Sequence, residues 1–397
     1  MNIGILTYHW VSNFGANLQA LSTYRNIELA GHHPIFINWI PYDLEQYYKT
    51  VVPEVQNRAH REFAEKYFKC TTICRTSAEV ASVIKSYNIG KIVIGSDAVF
   101  TYLPKLRRLH LSRKSLIGYS KPCVDSDFPN PYWGDFISIV PTSVKVCALS
   151  ASAQNTQYKS ILFKRPFDKA LSRFSFISVR DIWTKNMIEY LTNAKISPEI
   201  TPDPVFGFEQ NVQPKITKGE IVNKFKISSK YAIVSITDKN VPIEWIEQLS
   251  QIFLQKGIQL ISLDQTNKTL VSKMSRHISF PIDPLDWYSL IKYSEGYIGE
   301  LMHPILVSLH NSVPVYALDL YGFNKNGKLD EESSKTYQIL NQFELLSNYY
   351  NKKNDSALPR PSDVVEKIVS FDRIKCSQKA QKMYEKYNKL MKHILEI

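Results

Sequence analysis

The sequence predicts an α/β protein with two halves, each built around a parallel sheet. Short apolar segments alternate with helical patterns along most of the 397 residues. KIVIG (91–95) is an unbroken Ile/Val run, which is typical of a strand buried on both faces. The alternation stops over 207–222, where apolar residues are few, and restarts at YAIVSIT (231–237). These observations indicate two Rossmann-like units joined by a linker.

The first half contains five predicted strands and four main helices. The strands are NIGILT (2–7), HPIFINW (33–39), KIVIG (91–95), VCALSA (146–151) and FISVR (176–180). The helical patterns cover about 15–30, 54–68, 76–88 and 182–193. Residues 101–142 are rich in turn formers and charges, and they predict a long, loop-rich insertion.

The second half repeats the alternation and is followed by a helical tail. Strands are predicted at 231–237, 257–264, 296–300 and 313–319, with helices at 242–256, 284–294 and 302–311. The tail over 361–397 carries an apolar stripe formed by Met383, Tyr387, Leu390 and Ile394. We expect this stripe to pack on the body of the protein, and binding to a membrane surface is the alternative.

This organisation predicts a GT-B-like architecture, in which two Rossmann-like domains face a cleft and a helical tail follows. The predicted domains are 1–208 (acceptor side), 223–345 (donor side) and 346–397 (tail packed on the body). Ligands of open α/β sheets bind at the carboxyl ends of the strands. The candidate site is therefore the cleft, lined by the loops after Thr7, Gly95, Ser150, Arg180, Thr237, Asp264, Glu300 and Asp319.

Composition narrows the class of protein. The chain has 49 basic and 37 acidic residues, a net charge of +12, and its 44% hydrophobic content is that of a globular protein. No apolar run of membrane-spanning length occurs, and MNIGILTYHW resembles a first strand rather than a signal peptide. We therefore expect a cytoplasmic protein with reduced thiols, with contact to the inner face of the membrane left open. Five scattered cysteines predict neither disulfides nor a metal site.

Basic residues are concentrated in two places. Residues 101–124 contain Lys105, Arg107, Arg108, Arg113, Lys114 and Lys121 and no acidic residue, and 352–397 holds 11 basic and 6 acidic residues. No nucleic-acid-binding motif is present, so a small phosphorylated molecule or a membrane-linked anionic acceptor is the expected partner. A solvated basic surface is the alternative. Tyr8, His9, Trp10, Tyr102, Tyr132 and Trp133 also lie in predicted loops, where they could stack on sugars or pack in the core.

Two loops on the acceptor side carry candidate residues. Asn13 and Gly15 lie where the first strand turns into a helix, which suits an anion or, alternatively, a simple helix cap. Ser96 and Asp97 directly follow KIVIG. Asp97 could accept a proton from a substrate hydroxyl, or it could cap the next helix.

Three residues are candidates for the donor side. Arg180 ends a strand in SVRD and offers a fork of donors to a carboxylate or phosphate; an ion pair with a nearby acid is the alternative. His303 lies at a strand-to-helix junction in GELMH and could bind an anion or move a proton. His310, two turns later, is expected to pack within the helix. Lys335 could reach a phosphate from the rim of the cleft, or it could be a solvated surface residue.

The order of these motifs resembles the polysaccharide pyruvyl transferase family over about residues 2–345. Five short motifs match those of the family in order. They are NFGANLQA (13–20), GSDAVF (95–100), SVRD (178–181), Asp203-Pro204 and ELMHPI (300–305). The resemblance implies a GT-B-like transferase that moves pyruvate from phosphoenolpyruvate, as co-substrate and without a cofactor, onto a glycan of a capsule or exopolysaccharide. The product it implies is a cyclic ketal. It assigns donor binding to Arg180 and His303, and we choose Asp97 as the acceptor base.

The motifs also depart from the family pattern. Leu301 replaces the family's Arg or Ser, Pro304-Ile305 replaces its Gly-Thr, and Ala98 and Phe100 replace its Gln and Trp. Pro304 removes a backbone N–H from the start of a helix, where an anion would be held. Two alternatives therefore remain: a GT-B glycosyltransferase that uses a nucleotide sugar, and a non-catalytic binding or scaffolding protein of a glycan-assembly complex.

Overall fold

In a computed structural model, which describes residues 1–110, 118–237, 241–264, 276–355 and 357–397, the chain forms two six-stranded sheets and two short hairpins. The strands are Asn2–Leu6 (β1), His33–Phe36 (β2), Ile89–Asp97 (β3), Leu109–His110 (β4), Gly118–Tyr119 (β5), Lys145–Ala151 (β6), Phe176–Val179 (β7), Glu199–Ile200 (β8), Tyr231–Ser235 (β9), Gln259–Leu263 (β10), His277–Ile278 (β11), Tyr297–Gly299 (β12), Val315–Asp319 (β13), Asn324–Lys325 (β14), Lys328–Leu329 (β15) and Tyr349–Asn351 (β16).

Helices cover both sheets. They are Phe14–Leu29 (α1), Tyr42–Val51 (α2), Glu54–Tyr67 (α3), Ser77–Ser86 (α4), Arg165–Leu171 (α5), Ile182–Leu191 (α6), Phe208–Val212 (α7), Lys218–Phe225 (α8), Ile243–Gln255 (α9), Pro284–Lys292 (α10), Met302–His310 (α11), Lys335–Gln342 (α12), Pro361–Val369 (α13) and Arg373–Glu396 (α14).

Both large sheets are parallel, and each has one point where the strand order reverses. The first sheet has the order β2-β1-β3-β6-β7-β8, and the second has β11-β10-β9-β12-β13-β16. The reversals fall between β1 and β3 and between β9 and β12. Loops leave such a point in opposite directions and open a crevice, so the topology creates one binding position on each sheet.

Two segments differ from the predicted boundaries. Residues 207–222, predicted as a linker, contain α7 and the first part of α8, because Phe208 and Ile221 are buried in the core between the halves. Residues 346–360, predicted to belong to the helical tail, contain β16, which pairs with β13 as the last strand of the second sheet. The segment is only three residues long, which is too short for its apolar pattern to predict a strand.

The insertion over 101–142 is built from short helical turns and the hairpin β4–β5. It packs through Tyr132, Trp133 and Phe136, which are buried, so the prediction that the first two could stack on sugars is wrong. Arg108 is buried and paired with Asp127 at 2.5 Å, and it is therefore not part of a free basic surface. Lys105, Arg107 and Lys121 are exposed, whereas Arg113 and Lys114 lie outside the described residues.

The C-terminal helix α14 returns to the first half. Its predicted apolar stripe faces the body: Tyr387, Leu390 and Ile394 are buried, and Met383 is half-buried against the same core. Where the helix ends, the buried Lys91 of β3 donates to the carbonyls of Ile394 and Leu395 at 2.9 and 2.5 Å. In the described part of the chain, no helix is long and apolar enough to cross a membrane.

Candidate active site

A cavity of about 410 Å³ lies where the reversal points of the two sheets meet. All eight predicted strand ends contribute lining residues, either from the strand or from the loop that follows it. Those discussed below are Tyr8, Asn13, Gly15, Tyr48, Asp97, Asp125, Arg180, Leu301, His303, Pro304 and Lys335. A second cavity of about 460 Å³ shares Arg180, Met302 and Lys335 with the first, so the cleft continues past these cations.

Asp97 ends β3 and enters the cavity, whereas Ser96 does not line it. Successive side chains of a strand point to opposite faces, so only one of two adjacent residues can face the cleft. The Ser96 hydroxyl is buried without a hydrogen-bond partner in the described residues, and the prediction that it lines the acceptor side is wrong. Asp97 has a φ of 72°, an uncommon value for a residue other than glycine. No helix begins after it, so it is not a helix cap.

Arg180 follows β7 and is held by two carboxylates. Its Nη1 lies 2.6 Å from Oδ2 of Asp203, and its Nη2 lies 3.8 Å from Oδ1 of Asp97. Burial alone would lower the pKa of Arg180, but the two carboxylates outweigh it and raise this pKa. Its Nε is buried with no partner among the described atoms, which leaves one donor for a ligand. Both readings of this residue therefore hold: it forms an ion pair and it lines the cavity.

Asp203 is the residue that positions Arg180. It is 2% exposed, caps the turn at Pro204–Gly207 through the amide of Val205 at 3.0 Å, and accepts a hydrogen bond from the Gln19 side chain of α1. Asp181, the other acid near Arg180 in sequence, instead caps α6 through Thr184 at 2.7 Å.

His303 comes from the second half and lies directly over Gly15 of the first half. A Cβ atom on Gly15 would overlap the imidazole ring, so the glycine is needed to admit the histidine rather than to approach an anion. Burial lowers the pKa of His303 below 6.5. Asp97 and Asp203 oppose this shift, while Arg180 and Lys335 add to it. The imidazole is thus neutral at pH 7, and its Nε2 is buried without a partner among the described atoms.

Lys335 begins α12 and completes the group of cations. Burial, together with the charge of Arg180, lowers its pKa to about 8, although Asp181, Asp97 and Asp203 act in the opposite direction. No ion pair or hydrogen bond of its ammonium group is found within the described ranges. It is half-buried and lines both cavities, so it is not a solvated surface lysine.

Asn13 both caps a helix and lines the cavity. Its side chain accepts from the amide of Ala16 at 3.1 Å at the start of α1, as the capping alternative predicts. His310 lies at the end of α11, away from the cavity, and its Nε2 accepts from the amide of Glu209 at 3.3 Å. Burial lowers the pKa of His310 to about 4, which fits the packing role expected for it.

Three of the residues that depart from the family pattern, Ala98, Leu301 and Pro304, line the cavity, whereas Phe100 and Ile305 are buried outside it. Leu301 precedes α11 without a side-chain cap, and Pro304 is the third residue of that helix. A proline fits the first turn, where the amide N–H has no partner within the helix. The start of α11 can therefore offer a ligand fewer backbone donors than a helix without proline.

Sequence reasoning missed one polar pair in the cavity. The hydroxyl of Tyr8 donates to Oδ2 of Asp125 at 2.8 Å, although the two residues are 117 positions apart. Both side chains are only 7% exposed and both line the cavity. Nothing local in the insertion distinguishes Asp125 from a surface carboxylate. Elsewhere in the described chain, no group of three His, Cys, Asp or Glu side chains could hold a metal ion.

One cavity combines Arg180 of SVRD, His303 at the start of α11 and Asn13 of the first loop, which agrees with a comparison against protein families. The model of the family "Polysaccharide pyruvyl transferase" matches residues 13–320. The chain belongs to the polysaccharide pyruvyl transferase family. Members of this family are transferases that modify polysaccharides, so the protein is an enzyme of that class.

Solved structures show the same architecture with little sequence similarity. The Staphylococcus aureus MnaA–UDP co-structure has a TM-score of 0.51 at 9% identity, covering 98% of this chain and 94% of that one. Arabidopsis thaliana UGT89C1 has 0.52 at 9%, covering 99% of both chains. UDP-GlcNAc 2-epimerase from Neisseria meningitidis, bound to UDP-GlcNAc, has 0.51 at 9%, covering 100% and 99%. These likenesses concern the fold alone, and they confirm the GT-B-like prediction. The search of curated proteins found no match.

The contact between Gly15 and His303 can be tested with Gly15→Ala. We expect the new methyl group to displace the imidazole and to lower transferase activity by about 100-fold, because a misplacement of ~1 Å can cost that much. Activity and thermal unfolding should be measured together.

Gly219→Ala is the matched control, since Gly219 is also the second residue of a helix and a Cβ there meets nothing within 4 Å. This control should keep full activity. Equal activities of the two variants would contradict the placement of His303.

Proposed function

We propose that this transferase moves pyruvate from phosphoenolpyruvate to one sugar of a surface polysaccharide precursor and forms a cyclic ketal across two hydroxyls. The observation that carries the proposal is the convergence of Arg180 from the first half and His303 from the second, together with Lys335, on one cavity. Phosphoenolpyruvate is small and carries a carboxylate and a phosphate. Guanidinium and ammonium groups are suited to both.

Donor binding is assigned to these three residues. Arg180 has an unpartnered Nε in the described structure, and Lys335 adds a charge with no competing ion pair there. His303 contributes an unpartnered Nε2. Buried donors without acceptors are costly, and a bound anion would satisfy them.

Proton transfer is assigned to His303 and Asp97. A trianionic donor beside His303 would raise the pKa of the imidazole and favour its protonation. Imidazolium then protonates the methylene carbon of the enol, which leaves an oxocarbenium-like centre at the adjacent carbon. An acceptor hydroxyl attacks this centre and gives its proton to Asp97. Phosphate leaves as its C–O bond to that carbon breaks, and the second hydroxyl closes the ketal and gives its proton to the departing phosphate.

The decisive test is release of phosphate from phosphoenolpyruvate in the presence of a glycan acceptor. We expect His303→Asn to lower the rate by ~100-fold or more, the usual effect of losing a general acid. Arg180→Ala should raise the KM for the donor strongly. Both variants should be checked by thermal unfolding, because Arg180 also neutralises Asp203.

His310→Asn is the control on the same helix, since His310 lies outside the cavity. Its rate should stay within about twofold of the wild type. Full activity in a double variant at Arg180 and His303 would remove the assigned roles.

A glycosyltransferase that uses a nucleotide sugar is the second candidate, because Leu301 and Pro304 change the segment that carries His303. Thermal shift with phosphoenolpyruvate and with nucleoside diphosphates separates the two, since a ligand stabilises the state that binds it. Stabilisation by a nucleotide alone would favour this candidate. No turnover with any donor, but retained association with partner enzymes, would favour a scaffolding protein.

The pH dependence of donor use should report Lys335. Its ammonium carries a positive charge below its pKa of about 8 and loses it above that value. We therefore expect kcat/KM for the donor to fall as the pH rises through about 8. Lys335→Arg should move this decline to higher pH, because arginine stays protonated. The ratio of the variant's kcat/KM to that of the wild type cancels ionisation of the donor itself, and it should be measured over about 4 pH units centred on the pKa of about 8. A ratio that stays constant with pH would contradict the assignment.

We further propose a lipid-linked acceptor and contact with the inner face of the membrane. Leu162 and Phe163 are 66% and 82% exposed, and Leu106 on the adjacent insertion is 57% exposed. The two loops are joined by a hydrogen bond from Arg107 Nε to Ser160 Oγ at 3.4 Å. Residues 152–167 contain three basic residues and no acidic one. Apolar side chains flanked by cations suit an anionic bilayer.

Sedimentation with phosphatidylglycerol vesicles tests this surface. The double variant Leu162→Ser/Phe163→Ser should bind these vesicles about tenfold more weakly, since two apolar side chains no longer insert. Leu254→Ser/Ile374→Ser is the matched control, because these residues are 70% and 75% exposed on other helices. An equal loss of vesicle binding in both double variants would refute membrane contact through this surface. So would equally strong binding of the wild type to phosphatidylcholine and phosphatidylglycerol vesicles.

A further inference from the structure

The wall of the cavity that belongs to the first half carries two carboxylates and two tyrosines with no role in donor binding. Asp97 and Asp125 supply the charges, and Tyr8 and Tyr48 supply the rings. The pKa values of both tyrosines are raised by burial first, and the charges of Asp97 and Asp125 add to the effect. The hydroxyl of Tyr8 contacts Asp125 directly, at 2.8 Å, and Tyr48 lines the same cavity. The basic residues of the same cavity are Arg180, His303 and Lys335, and of these Arg180 lies 3.8 Å from Asp97.

Asp125 is held in place by its own loop. Asn130 donates to the carbonyls of Asp125 and Asp127 at 3.1 and 2.8 Å, and Asp43 of α2 accepts from the amide of Val124 at 2.9 Å. One carboxylate oxygen of Asp125 accepts from Tyr8, and the other accepts a 3.4 Å bond from Ser126, its one side-chain donor among the described residues. A carboxylate this buried, with one oxygen weakly occupied, lacks a hydrogen-bond donor. Sugar hydroxyls are donors of the required kind.

We propose that Asp125, Tyr8 and Tyr48 form the subsite for the acceptor sugar and that this subsite selects an uncharged hexose. The proposal rests on the proposed function in taking a sugar as acceptor. Asp125 binds a hydroxyl of the sugar beside the one that Asp97 deprotonates, and the tyrosine rings face the apolar side of the pyranose. A uronic acid or a phosphorylated sugar would bring a negative charge against two carboxylates, and like charges brought together oppose binding.

The substrate class thus differs between the two ends of the acceptor. The basic composition predicts an anionic partner. On this account the negative charge belongs to the lipid carrier of the acceptor or to the membrane surface, whereas the sugar that reacts is neutral. Asp125 is a specificity-determining residue on this account, and its loss should change the preference between sugars more than the rate with the preferred sugar.

Saturation-transfer NMR on the full chain without donor tests the proposal. The probes are methyl glycosides of glucose, galactose and mannose and of the matching uronic acids. We expect the wild type to bind at least one neutral glycoside about tenfold more tightly than its uronic acid. Asp125→Asn keeps the shape of the side chain and removes its charge, so the preference should fall to about parity.

Asp127→Asn is the matched control in the same turn, since Asp127 pairs with Arg108 and does not line the cavity. Its preference should equal that of the wild type. Binding of no neutral glycoside, equal binding of uronic acids by the wild type, or the same change in both variants would overturn the subsite. Failure to release phosphate from phosphoenolpyruvate, with the sugar preference intact, would instead refute the donor and leave the subsite standing.

Discussion

The buried ion pair between Arg180 and Asp203 holds the site together. A guanidinium that is 7% exposed needs a carboxylate partner, because an unpaired buried charge is strongly destabilising. Asp203 meets this need while it caps the turn at Pro204–Gly207 and receives Gln19 from α1. This turn leads into α7, and its last residue, Gly207, lies against the ring of Tyr387 on α14. One charged contact thus links the sheet edge, the first helix and the returning C-terminal helix.

The two halves supply different chemistry to the cleft. His303 reaches across from the second sheet and rests on Gly15, so at this point a side chain of one half lies against the bare backbone of the other. Arg180 comes from the first half and lies 3.8 Å from Asp97, whereas His303 and Lys335 come from the second half, and Asp125 lines the same cavity. A donor with two anionic groups and an acceptor with hydroxyls can occupy such a cavity together, because each meets the charge that suits it. Burial, together with the charge of Arg180, lowers the pKa of the Lys335 ammonium group to about 8.

Position after a strand made most of the site predictable. Asn13, Gly15, Asp97, Arg180 and His303 all follow strands that the pattern of apolar residues indicated, and the carboxyl ends of parallel strands meet at one edge. The physical roles were less accessible. Gly15 makes room for the imidazole of His303, which lies in the other half of the sequence. Ser96 was misplaced because the pleat of β3 turns adjacent side chains to opposite faces.

The sequence by itself determined the two-sheet α/β architecture, the family and the strand-end positions of the cations, because periodicity and short motifs are local properties. Only the tertiary structure decided that residues 207–222 contain helices, that β16 joins the second sheet, and that Arg108 forms an ion pair with Asp127. It alone brought Asp125 to Tyr8 and His303 to Gly15. These pairings join segments distant in the chain, and burial and charge decide them only once the core has formed.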